Sequence, residues 1–112
     1  MVEDASKLFR AMSDPIRLRI LHLLRGGGLC VGDLVSVLRV PQPTASRHLA
    51  YLRRLGLITA RKHSYWTFYS LAPAQSPLRR RILDCLEADA TGAKRDAKRL
   101  AAIRHSGGCC PV

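Results

Sequence analysis

Two short stretches of this 112-residue chain hold residue types suited to chemistry. The first is the C-terminal SGGCCPV, where Cys109 and Cys110 are adjacent and follow Gly107-Gly108. Free cysteine is among the residue types most often buried, so a pair placed at a chain end points away from packing. Thiolates select soft, thiophilic ions. Adjacent cysteines close only a strained disulfide with one another and so stay available as thiols. The two glycines let the segment fold back on the body, and thiol oxidation is the rival chemistry. The second stretch is QPTASRHLAYLRR, residues 42–54. On a helix, Gln42, Thr44, Ser46, Arg47 and His48 crowd the first two turns. Gln pairs with adenine and Arg with guanine in the major groove, while Ser and Thr suit phosphate or a thymine methyl. Arg53 and Arg54, further along, suit phosphates. The bland alternative is an amphipathic surface helix with ordinary polar residues.

The charge balance favours the nucleic-acid reading. There are 19 Lys+Arg against 8 Asp+Glu, a formal net charge of +11. No acidic residue lies between Asp33 and Asp84, whereas Arg39, Arg47, Arg53, Arg54, Arg61, Lys62, Arg79, Arg80 and Arg81 do. A basic stretch without interleaved acids is an electrostatic footprint for nucleic acid; a solvated cationic face is the alternative. The N-terminal MVEDASKLF is acidic and lacks the apolar segment of a secretory signal. No run approaches the roughly 18–20 apolar residues of a membrane span. These features predict a cytoplasmic protein without a membrane partner. Cys30, Cys85, Cys109 and Cys110 are then expected as reduced thiols and not as a disulfide framework.

The elements that must position these residues follow from periodicity and punctuation. Residues 4–12 read as a short helix with Leu8, Phe9 and Met12 on one side. Asp14 caps a second helix that opens on Pro15, carries Leu18, Ile20, Leu21, Leu23 and Leu24, and ends at Gly26-Gly27-Gly28. LCVGDLVSVLRV is a third helix with Leu34, Val37 and Leu38 inward, stopped by Pro41. The fourth holds the polar cluster, buries Leu49, Leu52 and Leu55, and ends at Gly56. Together the third and fourth make a helix-turn-helix over about residues 30–56. Residues 57–72, rich in β-branched and aromatic types, read as a hairpin. Ile58, Tyr65, Trp66, Phe68 and Tyr69 supply its hydrophobic content, and Arg61, Lys62 and His63 stand at its tip. A basic-tipped hairpin after a helix-turn-helix makes a winged helix, mainly α with a small β wing. Ser76 and Pro77 open a fifth helix, Thr91-Gly92 interrupt, and AKRDAKRLAAIRH is a sixth with Leu100 and Ile103 as contacts. The chain is one domain, residues 1–112, closing on the cysteine tail at 105–112. At this length roughly 35–40 % of the unfolded surface stays exposed, so a dimer interface is a natural supplement.

The runs MSDPIRLRILHLL, LCVGDL, VPQPTASRHLAYLRRLGLI and RKHSYWTFYSL resemble the ArsR/SmtB family of bacterial winged-helix repressors over residues 4 to about 72. LCVGDL is similar to the arsenical repressors within it. The resemblance implies a homodimer held by helices at about 4–12 and 76–104, bound to double-stranded operator DNA until a soft metalloid ion binds. It assigns DNA contact to Gln42, Thr44, Ser46, Arg47, His48, Arg53, Arg61, Lys62 and His63. The family's arsenical repressors carry Cys-Val-Cys in the third helix; here Gly32 stands in the second cysteine's place and leaves Cys30 alone. Its zinc sensors use His and acidic pairs on the last helices, whereas residues 76–104 hold no His and His105 stands alone. The remaining soft ligands are Cys109 and Cys110, with Cys85 as the expected third thiolate and Cys30, near a helix start that favours a thiolate, as the alternative. Trivalent arsenic or antimony takes three thiolates, and a methylated trivalent arsenical two. No permanent cofactor is implied. A redox-sensing repressor that uses the tail cysteines is the nearest rival. A thiol-dependent enzyme or metal-transfer protein is a rival of another class; against it, the chain has no Cys-x-x-Cys, Gly-rich phosphate loop or Ser-His-Asp arrangement. A basic architectural DNA binder would leave the tail cysteines without a use.

Overall fold

The computed structural model describes residues 2–73, 76–88 and 93–105. Along the chain run α1 (Val2–Ala11), α2 (Pro15–Leu24), β1 (Leu29–Cys30), α3 (Val31–Leu38), α4 (Gln42–Arg54), β2 (Ile58–His63), β3 (Trp66–Leu71), α5 (Pro77–Ala88) and α6 (Ala93–His105). Helix starts and stops obey local chemistry. Asp14 is extended and its Oδ1 accepts from the backbone N–H of Ile16 at 2.8 Å and of Arg17 at 3.2 Å, while Pro15 fills the first position, where no intrahelical donor is needed. The end of α4 closes through Gly56 at φ 76°, with Leu57 N donating to Leu52 O at 3.1 Å. Ser76 Oγ accepts from Arg79 N at 3.2 Å at the start of α5.

The sheet is antiparallel in the order β1-β3-β2. β2 and β3 form the wing, in register from Ile58↔Leu71 to His63↔Trp66. Leu29 and Cys30, expected at the start of the third helix, instead pair with Tyr69 and Phe68 as a third, two-residue strand beside the expected hairpin. Its closeness depends on Gly28, since a Cβ there would stand 2.8 Å from Ser70 Oγ and 3.3 Å from Tyr69 O. The core gathers Leu8, Ile20, Leu21, Leu34, Val37, Leu49 and Leu52 between α1–α4, with Leu57 and Ile58 from the wing base and Leu100 from α6.

Arginines tie the helices together. Arg19 Nε and Nη2 donate to the Asp96 carboxylate at 2.9 and 2.8 Å, and Nη2 also reaches Leu38 O at 3.3 Å. The hydrogen bond to Asp96 raises the Arg19 pKa above its ordinary value. Arg99 Nη1 donates to Val37 O at 3.1 Å. Arg79 Nη1 and Nη2 donate to Gly56 O and Leu55 O at 3.3 and 3.4 Å. Arg25 Nη1 reaches Leu83 O at 2.6 Å and Asp84 Oδ1 at 3.2 Å. No helix among the described residues is long and apolar enough to cross a membrane.

Candidate nucleic-acid interface

Helix α4 divides cleanly. Ala45, Leu49 and Leu52 are buried at helical spacing and seat it on the core. Pro43, Arg47, Ala50 and Arg54 form the opposite, exposed stripe, with Gln42 and Arg53 exposed beside it and Thr44 and Ser46 partly exposed. The helix therefore presents Gln42, Ser46 and Arg47 outward from its first turns and Arg53 and Arg54 from its last. Its N-terminus carries no side-chain cap, so the positive end of its dipole faces outward with them.

His48 stands apart from that group. Its side chain is 14 % exposed, with Nε2 3.9 Å from Asp14 Oδ1 and Nδ1 3.5 Å from Arg17 Nη1. Arg17 in turn lies 4.4 Å over the Tyr51 ring and donates from Nε to Ala11 O at 2.8 Å and from Nη2 to Arg10 O at 3.1 Å. The His48 ring thus faces the junction of α1, α2 and α4, one register position away from the exposed stripe. Arg17 and Tyr51 are the residues sequence reasoning missed here; no local motif marks them, because their partners lie on other helices.

At the wing, Arg61, Lys62 and His63 are exposed as expected at the end of β2. Ser64 turns the chain at φ 58°. Tyr65, counted from sequence among the hairpin's hydrophobic content, is 94 % exposed instead. It falls in the turn between β2 and β3, where no facing strand covers it. Arg79, counted from sequence in the basic footprint, is only 5 % exposed; its guanidinium is turned to the carbonyls that end α4.

The cysteines separate likewise. Cys30 is fully buried and caps α3, its Sγ accepting from Asp33 N at 3.4 Å. Cys30 is disulfide-bonded, in place of the reduced thiol expected there. Cys85 is an exposed free thiol on α5. Cys109 and Cys110 lie outside the described residues, and among the described residues no group of three or more His, Cys, Asp or Glu side chains is placed to hold a metal.

A helix-turn-helix whose second helix is exposed along a basic stripe, followed by a basic-tipped hairpin that joins β1 in a three-stranded sheet, defines a winged helix-turn-helix DNA-binding module. Residues 14–60 match the bacterial regulatory protein family arsR. An uncharacterized HTH-type transcriptional regulator of Methanocaldococcus jannaschii is 46 % identical over 68 residues, 60 % of this chain and 76 % of that one. The arsenical resistance operon repressor of Escherichia coli is 43 % identical over 79 residues, 70 % of this chain and 68 % of that one. The structure of HlyU from Vibrio cholerae superposes with a TM-score of 0.70 at 37 % identity, covering 78 % of this chain and 91 % of that one. The chain belongs to the ArsR family of winged helix-turn-helix regulators, and is a DNA-binding transcriptional regulator, not an enzyme.

Proposed function

We propose that the protein is a homodimeric repressor that leaves its operator when a trivalent arsenic or antimony species, or a methylated trivalent arsenical, binds its cysteine thiolates. In this reading Gln42, Thr44, Ser46 and Arg47 contact bases and the adjoining backbone, and Arg53, Arg61, Lys62 and His63 hold phosphates. His48 orients the helix from behind. Tyr65 joins the wing contacts, because an aromatic so exposed beside three cationic or titratable neighbours suits a groove wall better than open water. Exposed Phe9 on α1 and Leu78 on α5 support the dimer: these two helices pack together and leave apolar surface uncovered.

The observation that carries the inducer is Cys30. It caps α3 and is disulfide-bonded, which supports thiol chemistry near the start of the helix-turn-helix. In its reduced form Cys30 becomes the preferred third thiolate beside Cys109 and Cys110, ahead of Cys85, which is exposed on α5. Ligation needs deprotonated thiols, so inducer binding releases protons and weakens as pH falls. The ion acts only by binding the DNA-free conformation better; a coupling of about 1–3 kcal/mol loosens the operator roughly 5–150-fold.

The test is operator release titrated with arsenite, antimonite, a methylated arsenical, zinc and cadmium. Cys109→Ser/Cys110→Ser is expected to keep operator affinity and lose the response to arsenite, and Cys30→Ser is expected to do the same. If Cys85→Ser alone abolishes the response, the third ligand is Cys85; if the double tail variant responds normally, the metalloid site is not in the tail. The disulfide at Cys30 favours a second reading, release by thiol oxidation. Peroxide releasing DNA where arsenite does not would replace the metalloid reading with that one.

A further inference from the structure

The two helices after the wing each send a side chain back to the C-terminal end of one helix of the helix-turn-helix. Arg79, in the first turn of α5, spans 23 residues of sequence to Gly56 and puts both terminal nitrogens on carbonyls just past the end of α4. Arg99 of α6 reaches Val37 O, and Arg19, gripped through two nitrogens by Asp96 of α6, reaches Leu38 O. These are the last carbonyls of α3. Carbonyls at a helix end lack intrahelical partners and sit at the negative pole of the dipole. A planar guanidinium meets two of them at once, which an ammonium does not. Asp96 is fully buried although it lies on a helix dominated by polar residues.

Neither helix end needs an arginine to stop it. α4 is already closed by the Gly56 turn, with Leu57 N on Leu52 O. α3 is closed by Arg39 in the left-handed region, its N–H donating to Val35 O at 2.9 Å. What the guanidiniums add is a fixed separation between α5 and the end of α4, and between α6 and the end of α3. We infer that Arg79, Arg99 and the Arg19–Asp96 pair are positioning residues for DNA reading: they hold the C-terminal ends of α3 and α4, on either side of the reading helix, and so set the tilt of α4, contributing sequence discrimination without touching DNA. This rests on α4 being the base-reading helix.

Burial gives the test its discrimination. A side chain that holds a phosphate releases a counterion, so its loss lowers the salt slope by about one unit. Arg79 is 5 % exposed and Asp96 is 0 % exposed, so their loss should not. Full-length Arg79→Gln and Asp96→Asn are compared with the wild type for operator and random-duplex affinity across a salt series, with urea midpoints measured alongside. The expected result is a loss of about tenfold in the operator-to-random ratio at an unchanged salt slope. A wild-type ratio in the folded variants, whatever their midpoints, overturns the inference, and so does a slope lowered by about one unit. If Arg79→Gln does not fold, Arg79→Lys carries the same test, because it keeps the charge but cannot span both carbonyls. Arg47→Ala is the control: an unchanged ratio there would remove α4 as the reading helix, a failure separate from that of the clamp.

Discussion

At the scale of single residues, α4 sorts its polar side chains by less than one turn. Arg47 sits on the exposed stripe and His48, its neighbour, faces Asp14 and Arg17. Arg47→Ala is expected to cost roughly 1–3 kcal/mol of operator affinity and to relax preference at the base it contacts, checked by selection from a randomised operator library. His48→Ala is expected to act on the fold instead. It removes a packed ring from the junction of three helices and should lower unfolding free energy by about 1 kcal/mol, read in urea. Tyr65→Ala should leave that unfolding curve where it was, since nothing covers the ring, and weaken DNA binding.

At the scale of elements, the wing's proposed contribution to DNA binding is mainly charge. Lys62→Ala should weaken binding to all duplexes and flatten the salt slope by about one unit, measured by titration at several ionic strengths. The wing also depends on a close approach at its far edge. Gly28→Ala would press a methyl to 2.8 Å from Ser70 Oγ and 3.3 Å from a backbone carbonyl. A loss of about 1–3 kcal/mol in unfolding free energy is expected. Most elements were legible in the sequence because local chemistry bounds them: Asp14-Pro15, Gly56 and Ser76-Pro77 each mark an end where the structure has one. β1 was not legible, because two residues carry no period and their pairing depends on β3, almost forty positions on. The exposed face of α4 was visible as a cluster, but the inward turn of His48 was not. Nor were the arginine contacts, since a charged residue in a basic stretch reads the same whether it meets a phosphate or a helix end.

At the scale of the whole molecule, the net charge of +11 overstates the surface offered to DNA. Arg17, Arg19, Arg25, Arg79 and Arg99 are all engaged with carbonyls inside the fold. The assembly should double what remains. A two-fold dimer through α1, α5 and α6 is expected to bind an imperfect inverted repeat. Phe9→Glu with Leu78→Glu should yield a monomer in sedimentation at micromolar concentration, with weaker operator binding. A wild-type monomer under the same conditions would contradict the dimer.

Cys30 occupies two elements at once. Its backbone pairs with Phe68 of the wing strand and its sulfur caps the helix that leads into α4. The two parts of the molecule proposed to meet DNA therefore share one residue. A designer wishing to make this scaffold answer a different signal would not have to wire that signal separately to the wing and to the reading helix. A group attached at this single buried point would bear on both.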